Sequence, residues 1–268
     1  MGYDLHIHST FSDGTYRPEE LVAKALVKRL SGIAITDHDT IAGLPDGARE
    51  AEKRGLRFIT GVELTTDWGD DEVHILGYGF ALHQPQLENK LERVLAARND
   101  RARQIVAELN RKGVPLAWER VKAQTTSKFV GRTHIYKALE AAGQIAPEHR
   151  QNAFEYYLGH DGLAYVPHQE IGTLEAIELI NECGGLAVLA HPGRMGNDEL
   201  IKRLVDGGLR GIEVFYPSHT PEMVRFYLEM AKRYRLVVTG GSDYHGVFSR
   251  TQLGEAQVEE VSWLHHWA

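Results

Sequence analysis

Short apolar runs alternate with stretches of helical periodicity at both ends of this 268-residue chain. Near the start, Leu5 and Ile7 alternate with His6 and His8, so a strand over residues 3–8 turns both imidazoles to one face. Pro18-Glu19-Glu20 opens a helix that runs to residue 30, with Pro near the first turn and acids behind it. Gly32-Ile33-Ala34-Ile35-Thr36 is an apolar run of the kind buried in a parallel sheet, and it delivers Asp37-His38-Asp39. Residues 44–54 read as a helix ending at Gly55, and residues 56–62 as a strand delivering Glu63. Residues 73–78 are strand-like, with His74 near the start. Strands alternating with helices, with polar residues gathered at strand ends, describe a parallel α/β barrel or open sheet whose site lies on the C-terminal edge.

The rhythm changes after Phe80. Residues 87–112 form a long amphipathic helix, with Leu87, Leu91, Val94, Leu95, Ile105, Val106 and Leu109 at helical spacing. Shorter helices are expected over 118–123, 134–142 and 147–158, and no strand before Tyr165-Val166. The alternation then resumes with helices over 174–183, 199–206 and 221–234. Between them lie strands over 186–190, ending in His191-Pro192-Gly193-Arg194, and over 211–215, carrying Glu213. A last strand over 236–239 runs into Gly240-Gly241-Ser242-Asp243-Tyr244-His245. Residues 1–79 and 166–268 thus read as two parts of one α/β barrel, interrupted by an all-helical cap over 80–165.

Composition adds little to that division and charge adds more. At 43% hydrophobic and 25% charged the chain is ordinary for a globular protein. With no run of eighteen apolar residues and no signal-like start, neither a membrane span nor a leader is expected. A single cysteine, Cys183, excludes a disulfide framework, fits a cytoplasmic location, and reads as helix packing. Between residues 90 and 150, thirteen Lys+Arg face six Asp+Glu, a local +7 in a chain of net −7, which leaves −14 on the remainder. A basic middle against an acidic remainder with most of the fourteen histidines points to an anionic ligand on one side and metal on the other.

The strand ends offer His6, His8, Asp13, Asp37, His38, Asp39, Glu63, His74, His191, Asp243 and His245 at one edge. Polar groups converging in a core must be paired or coordinate something. About nine nitrogen and oxygen donors without a thiolate suit two or three divalent ions better than one. No G-x-S-x-G or G-x-x-x-x-G-K-[ST] pattern occurs, so neither a serine nucleophile nor a phosphate loop of those types is expected.

The chain resembles the PHP (polymerase and histidinol phosphatase) family of metal-dependent phosphoesterases. The matching stretches are Asp4-Leu5-His6-Ile7-His8-Ser9 with Ser12-Asp13-Gly14, Thr36-Asp37-His38-Asp39, Gly61-Val62-Glu63, the segment around His74, Ala190-His191-Pro192-Gly193-Arg194 and Gly241-Ser242-Asp243-Tyr244-His245. The resemblance implies a distorted (β/α)7, TIM-like barrel with an inserted helical cap. It implies three metals: one on His6, His8, Glu63 and Asp243, one on Asp13, His38 and His245, and one on Glu63, His74 and His191. Mn²⁺ is the expected ion, with Zn²⁺ and Fe²⁺ open. Within the family the likeness is to enzymes acting on nucleoside 3′,5′-bisphosphates, whose relatives trim RNA from the 5′ end. The chemistry implied is attack on phosphorus by a hydroxide shared between metals, with removal of the 3′-phosphate. The alternatives are 5′→3′ trimming of short 5′-phosphorylated RNA and a non-catalytic metal-binding module, against which the complete ligand set argues. Histidinol phosphate hydrolysis lacks support, because the cap shows no acidic pocket for a cationic substrate.

Glu63, Asp13 and His38 are expected to carry the catalytic centre, with His219 either an acid for the leaving oxygen or a helix cap before Pro221. Arg98 and Arg101 lie one turn apart, and Arg132 and His134 open a later helix. With Arg194, they are the expected clamp on a second phosphate of a nucleotide or short oligonucleotide. Neither a duplex nucleic acid nor an obligate protein partner is indicated. Glu213 is expected to hold a ligand rather than be one, and Asp37 and Asp39 to orient the His38 loop. His83, His149, His160 and His168 read as surface or packing residues, and His265 and His266, with Trp263 and Trp267, as a tail against the barrel. Phe154, Tyr156 and Tyr157 read as helix core, with one of them available to stack on a base.

Overall fold

The computed structural model describes residues 2–69, 71–167, 171–247, 249–261 and 263; His168, His265, His266 and Trp267 lie outside them. Seven strands pair in chain order within one sheet. β1 (Tyr3–Asp4), β2 (Gly32–Ile35) and β3 (Arg57–Trp68) are parallel, as are β5 (Leu186–Leu189), β6 (Gly211–Phe215) and β7 (Val237–Gly240). The sheet's two ends meet through Leu5 N–H to Gly240 O (3.1 Å) and His8 N–H to Tyr244 O (2.9 Å), so the barrel is nearly closed.

β4 (Asp71–Tyr78) is antiparallel to both β3 and β5, which corrects the all-parallel (β/α)7 expectation. Trp68 pairs with Asp71, leaving room only for the turn at Gly69, whose φ of 65° suits a residue without Cβ. A parallel crossover needs a dozen residues or more, so only a hairpin fits here. The reversal brings the start of β4 to the edge where the other strands end. His74 therefore joins the site from a strand's beginning.

Alternate residues divide between two apolar layers. Leu5, Ala34, Ile59, Leu76, Tyr78, Leu186 and Val188 cluster together, and Tyr78 donates to Leu5 O at 2.7 Å. Ile33, Ile35, Val62, Ile212 and Val214 pack instead with the helices α1 (Pro18–Val27), α2 (Leu44–Arg54), α7 (Thr173–Glu182), α8 (Glu199–Asp206) and α9 (Pro221–Tyr234).

The segment between β4 and α7 is helical, as its periodicity predicts: α3 (Pro85–Arg111), α4 (Trp118–Lys122), α5 (Arg132–Ala141) and α6 (Ala153–Leu158). The expected 147–158 helix is instead a 3-10 turn, Pro147–His149, followed by α6, and Tyr165-Val166 forms no strand. The insertion does not part cleanly from the barrel at residue 80. Leu87, Leu91 and Val94 of α3 join the barrel's outer layer, while Ala102, Ile105, Val106 and Leu109 join α5 and α6 in a cluster of their own. Among the described residues no helix is long and apolar enough to cross a membrane.

Candidate metal centre

The loops that leave the strands are stitched together by buried carboxylates. Asp4 accepts from Ser242 N (2.9 Å), Ser242 Oγ (2.6 Å) and Gly254 N (2.7 Å), joining β1 to the loop that carries Asp243. Burial pushes its pKa up to about 6, against these hydrogen bonds, which lower it. Asp37 accepts from Ser9 N (2.7 Å), Ser9 Oγ (2.6 Å) and Ser12 Oγ (2.6 Å), and so folds the His8–Asp13 loop back on the His38 loop. Asp39 accepts from Thr65 N at 3.1 Å and donates its own N–H to Glu63 O at 2.9 Å. Both flanking acids orient the His38 loop, as expected. The motif glycines answer a packing need: a Cβ on Gly14 would lie 2.3 Å from His8 O, and one on Gly241 2.3 Å from His6 Cβ. Asp39, His191 and Asp243 adopt left-handed φ values of 51°, 27° and 52° without being glycine. Backbone strain of this kind concentrates at functional sites.

Glu213 lies beneath the ligands rather than among them. Its carboxylate accepts from His6 Nδ1 (3.0 Å) and His191 N (2.8 Å). With Nδ1–H given to Glu213, His6 Nε2 presents its lone pair to the centre. His245 is set the same way, its Nδ1 donating to Asp243 O at 2.9 Å.

Three overlapping groups result, with the donor atoms in each within 4.8 Å of one another: His6, His8, Glu63 and Asp243; His8, Asp13, His38 and His245; and His38, Glu63 and His74. Glu63 Oε2 lies 3.2 Å from His6 Nε2, His8 Nε2 and His38 Nδ1, while its Oε1 lies 2.7 Å from His74 Nδ1 and 3.2 Å from His191 Nε2. His8 Nε2 is 3.1 Å from Asp243 Oδ1, and His245 Nε2 is 3.2 Å from Asp13 Oδ1. The first group matches the expected set. The second gains His8. In the third, His38 takes the place expected for His191, which still reaches Glu63.

The donors fit divalent cations on their own chemistry. His6 Nε2, both His8 nitrogens, Asp13 Oδ1 and Glu63 Oε2 are buried with no hydrogen-bond partner. Each such group costs on the order of 1–3 kcal/mol if left so, and an ion shared among them removes the cost. Burial works against charge on Asp13, Glu63 and Asp243, yet the surrounding imidazoles outweigh it and hold all three well below the usual carboxylate range. The same attraction acts on the histidines: burial opposes it, but the neighbouring carboxylates raise His8 to about 10 and His74 to about 9. Burial takes His38 the other way, to about 3. The acids thus draw positive charge into the edge, as protons or as metal.

A cleft of about 610 Å³ bordered by Asp67, Glu72, Arg132, Phe154, His160, Tyr165 and Arg194 opens beside the centre. A smaller hollow over His74 and His191 shares Glu72, Arg194 and Met195 with it. Arg132 and Arg194 both border the cleft, and Arg194 also borders the hollow over His74 and His191. Arg132 Nη2 holds both oxygens of Glu72 (2.7 and 2.8 Å), and Glu72 lies 3.2 Å from His74 Nε2. Arg194 lies 3.6 Å from Asp243 Oδ2, which also accepts from Tyr216 OH at 2.9 Å.

Three expected phosphate contacts are placed elsewhere. Arg98 is buried in an ion pair with Asp39 (2.5 Å) and lies 5.2 Å from the Phe129 ring. Arg101, also buried, donates Nε–H to Val166 O at 2.9 Å. His134 caps α5 by accepting from Gly131 N at 3.1 Å, and burial lowers it to about 4, so it is neutral. His219 departs from its expected acid role for a similar reason. Its Nδ1 donates to Val214 O of β6 (2.9 Å) and its Nε2 accepts from Gly193 N (3.2 Å), so the ring ties the His191 loop to β6. Thr220 Oγ1 instead caps α9.

Tyr216, Glu72, Thr133 and Phe129, whose ring stacks on His38 at 6.0 Å, are site neighbours absent from the sequence reading. Glu72 had a signal, since it lies two residues before His74 and so on the same strand face. Thr133 and Phe129 had none, being brought in by tertiary packing. His83 and His160 are exposed, with His160 on the cleft wall, and His149 is half-buried with its ring stacked on Tyr156. Tyr157 is helix core, Phe154 borders the cleft, and Cys183 is buried.

Residues 4–157 match the PHP domain family. The chain belongs to that family. It is 35% identical over 249 residues to a 3′,5′-nucleoside bisphosphate phosphatase of Chromobacterium violaceum, covering 90% of this chain and 86% of the relative. It is 34% identical over 258 residues to a 5′-3′ exoribonuclease of Haemophilus influenzae, covering 94% and 93%. The structure of a Chromobacterium violaceum amidohydrolase with bound sulfate superposes with a TM-score of 0.88 at 32% identity, covering 97% and 92%. Taken together, the family match, the kind of enzyme these relatives are and the buried donor groups make this PHP protein a metal-dependent phosphoesterase in kind.

Proposed function

We propose that this PHP protein hydrolyses the 3′-phosphate of nucleoside 3′,5′-bisphosphates, leaving a nucleoside 5′-monophosphate and phosphate. The observation that carries the reading is the pair Arg132 and Arg194, which border one cleft beside His74 and His191, with Arg194 against Asp243. Two guanidinium groups along one cleft suit a substrate with two phosphates, one at the centre and one away from it. A guanidinium has five N–H donors; Glu72 takes those on Nη2 and Leu158 O one on Nη1, so an anion can share the rest of Arg132. Phe154 and Tyr165 on the same cleft offer rings for a base to stack on.

His6, His8, Glu63 and Asp243 would hold one ion, Asp13, His38 and His245 with His8 a second, and Glu63 and His74 with His38 or His191 a third. Bound divalent ions, of which Mn²⁺ is the proposed one for this mixed donor set, supply Lewis acidity toward phosphoryl oxygens and an acidified water at neutral pH. Glu63 places both oxygens between two groups, and Arg194 stands ready to offset charge on the departing phosphate. The name of the Haemophilus influenzae relative favours a second reading, 5′→3′ trimming of short 5′-phosphorylated RNA, which uses the same ester cleavage on a longer substrate. A phosphate- and nucleotide-release screen with added Mn²⁺, over bisphosphates, monophosphates and short 5′-phosphorylated RNA, tests both. Bisphosphates are expected to be the best substrates; turnover of RNA alone would select the second reading, and turnover of none would remove both.

A further inference from the structure

We infer that Thr133, the second residue of α5, is a positioning residue of the metal centre, its hydroxyl fixing the Asp13 carboxylate so that one oxygen faces the imidazoles. The inference rests on the reading of these donors as metal ligands and is independent of which phosphate ester is cut. Thr133 Oγ1 donates to Asp13 Oδ2 at 3.0 Å. The other oxygen, Oδ1, is buried without a hydrogen-bond partner, 3.2 Å from His245 Nε2 and 4.0 Å from His8 Nδ1. A carboxylate held at one oxygen cannot turn, and it offers the second oxygen singly to the group of His8, Asp13, His38 and His245.

Thr133 is suited to the task by its place in the helix. In a first turn no helical carbonyl lies four residues back, so the hydroxyl is not drawn to its own helix. The turn itself is fixed. His134 caps Gly131 N at 3.1 Å, Val130 N donates to Asn99 Oδ1 at 3.0 Å, and Asn99 Nδ2 donates to Lys128 O at 2.9 Å. The preceding residue, Arg132, holds Glu72, which touches His74 of another donor group. Two adjacent residues of an inserted helix thus reach two different donor groups of the barrel. Hydrogen bonds of this kind to metal ligands are worth roughly 10–100-fold in metal affinity.

The test is a Mn²⁺ titration of the full chain, following free ion by electron paramagnetic resonance, for wild type, Thr133→Val and Thr133→Ser. Thr133→Val should weaken one class of site by about 10–100-fold and leave the others unchanged. The metal-free melting temperature should match wild type, and Thr133→Ser should restore the lost affinity. The inference is overturned if Thr133→Val binds Mn²⁺ as wild type does, if it weakens every site together with the metal-free fold, if Ser fails to rescue, or if wild type binds no Mn²⁺. Wild type that binds Mn²⁺ normally but releases no phosphate would remove the proposed substrate and leave this inference standing.

Discussion

At the barrel edge, the imidazoles and carboxylates of His6, His8, Asp13 and Glu63 converge in overlapping groups whose ligand atoms lie within 4.8 Å of one another, whereas Arg98, Arg101 and Arg132 of the inserted helices already hold Asp39, Val166 O and Glu72. The two regions were equally rich in candidate chemistry along the chain. They differ in what the fold does with it. A strand end fixes the direction of a side chain and leaves the lone pair to a ligand. A long cationic side chain on a helix finds a nearby acid or carbonyl, and of these three only Arg132 does so at the border of the cleft. A charge excess in a segment therefore predicts ligand contacts poorly, while imidazoles and carboxylates converging on one sheet edge predict them well.

The contrast can be tested by substitution. Glu63→Ala should have the largest effect on activity, since Glu63 lies in two donor groups. Turnover should fall by more than about 100-fold, beyond the loss of a single supporting hydrogen bond, and metal content should drop. Retained turnover measured with saturating Mn²⁺ would mean that Glu63 is not shared. Arg98→Leu should act on stability instead. It removes the guanidinium from the buried Asp39 carboxylate at a cost of about 3–5 kcal/mol, seen as a lower denaturant midpoint. An unchanged midpoint with a raised KM would return Arg98 to the substrate.

Arg132→Ala should raise KM for bisphosphates by roughly 10–100-fold, the value of a charge-assisted hydrogen bond, and that for monophosphates much less. Equal effects would show that Arg132 does not read a second phosphate. The remaining contrast concerns pH and bears on metal affinity rather than on turnover. His8 and His74 are raised above 6.5 to about 10 and about 9, so without metal they hold protons through neutral pH. That protonation stabilises the metal-free fold fully below about pH 6.5 and is lost as pH rises through 9 to 10. A coordinating imidazole must shed its proton, so Mn²⁺ affinity should climb between pH 6.5 and 8.5, by up to about 100-fold per unit if two protons leave. Flat affinity over that range, by calorimetry, would contradict protonated His8 and His74.

Much of this edge was legible along the chain because strand alternation is a local rule. His6 and His8, two apart, both reach Glu63 Oε2, although the ladder of β1 itself stops at Asp4. Helices opening with Pro221 or Glu199 end where the residues say they do. The antiparallel β4 was legible in principle, from the short link at Gly69, but periodicity alone does not show strand direction. The fates of Arg98, His134 and His219 were not legible. Each depends on an acid, an amide or a carbonyl that folding brings close, and no local pattern marks those partners.

Counting divalent ions in purified, Mn²⁺-saturated protein by elemental analysis puts the barrel edge to the most direct test. The overlapping donor groups predict two to three ions per chain, with those of the two groups that share Glu63 lost together on Glu63→Ala. One ion per chain, or none, would contradict a shared centre built on Glu63.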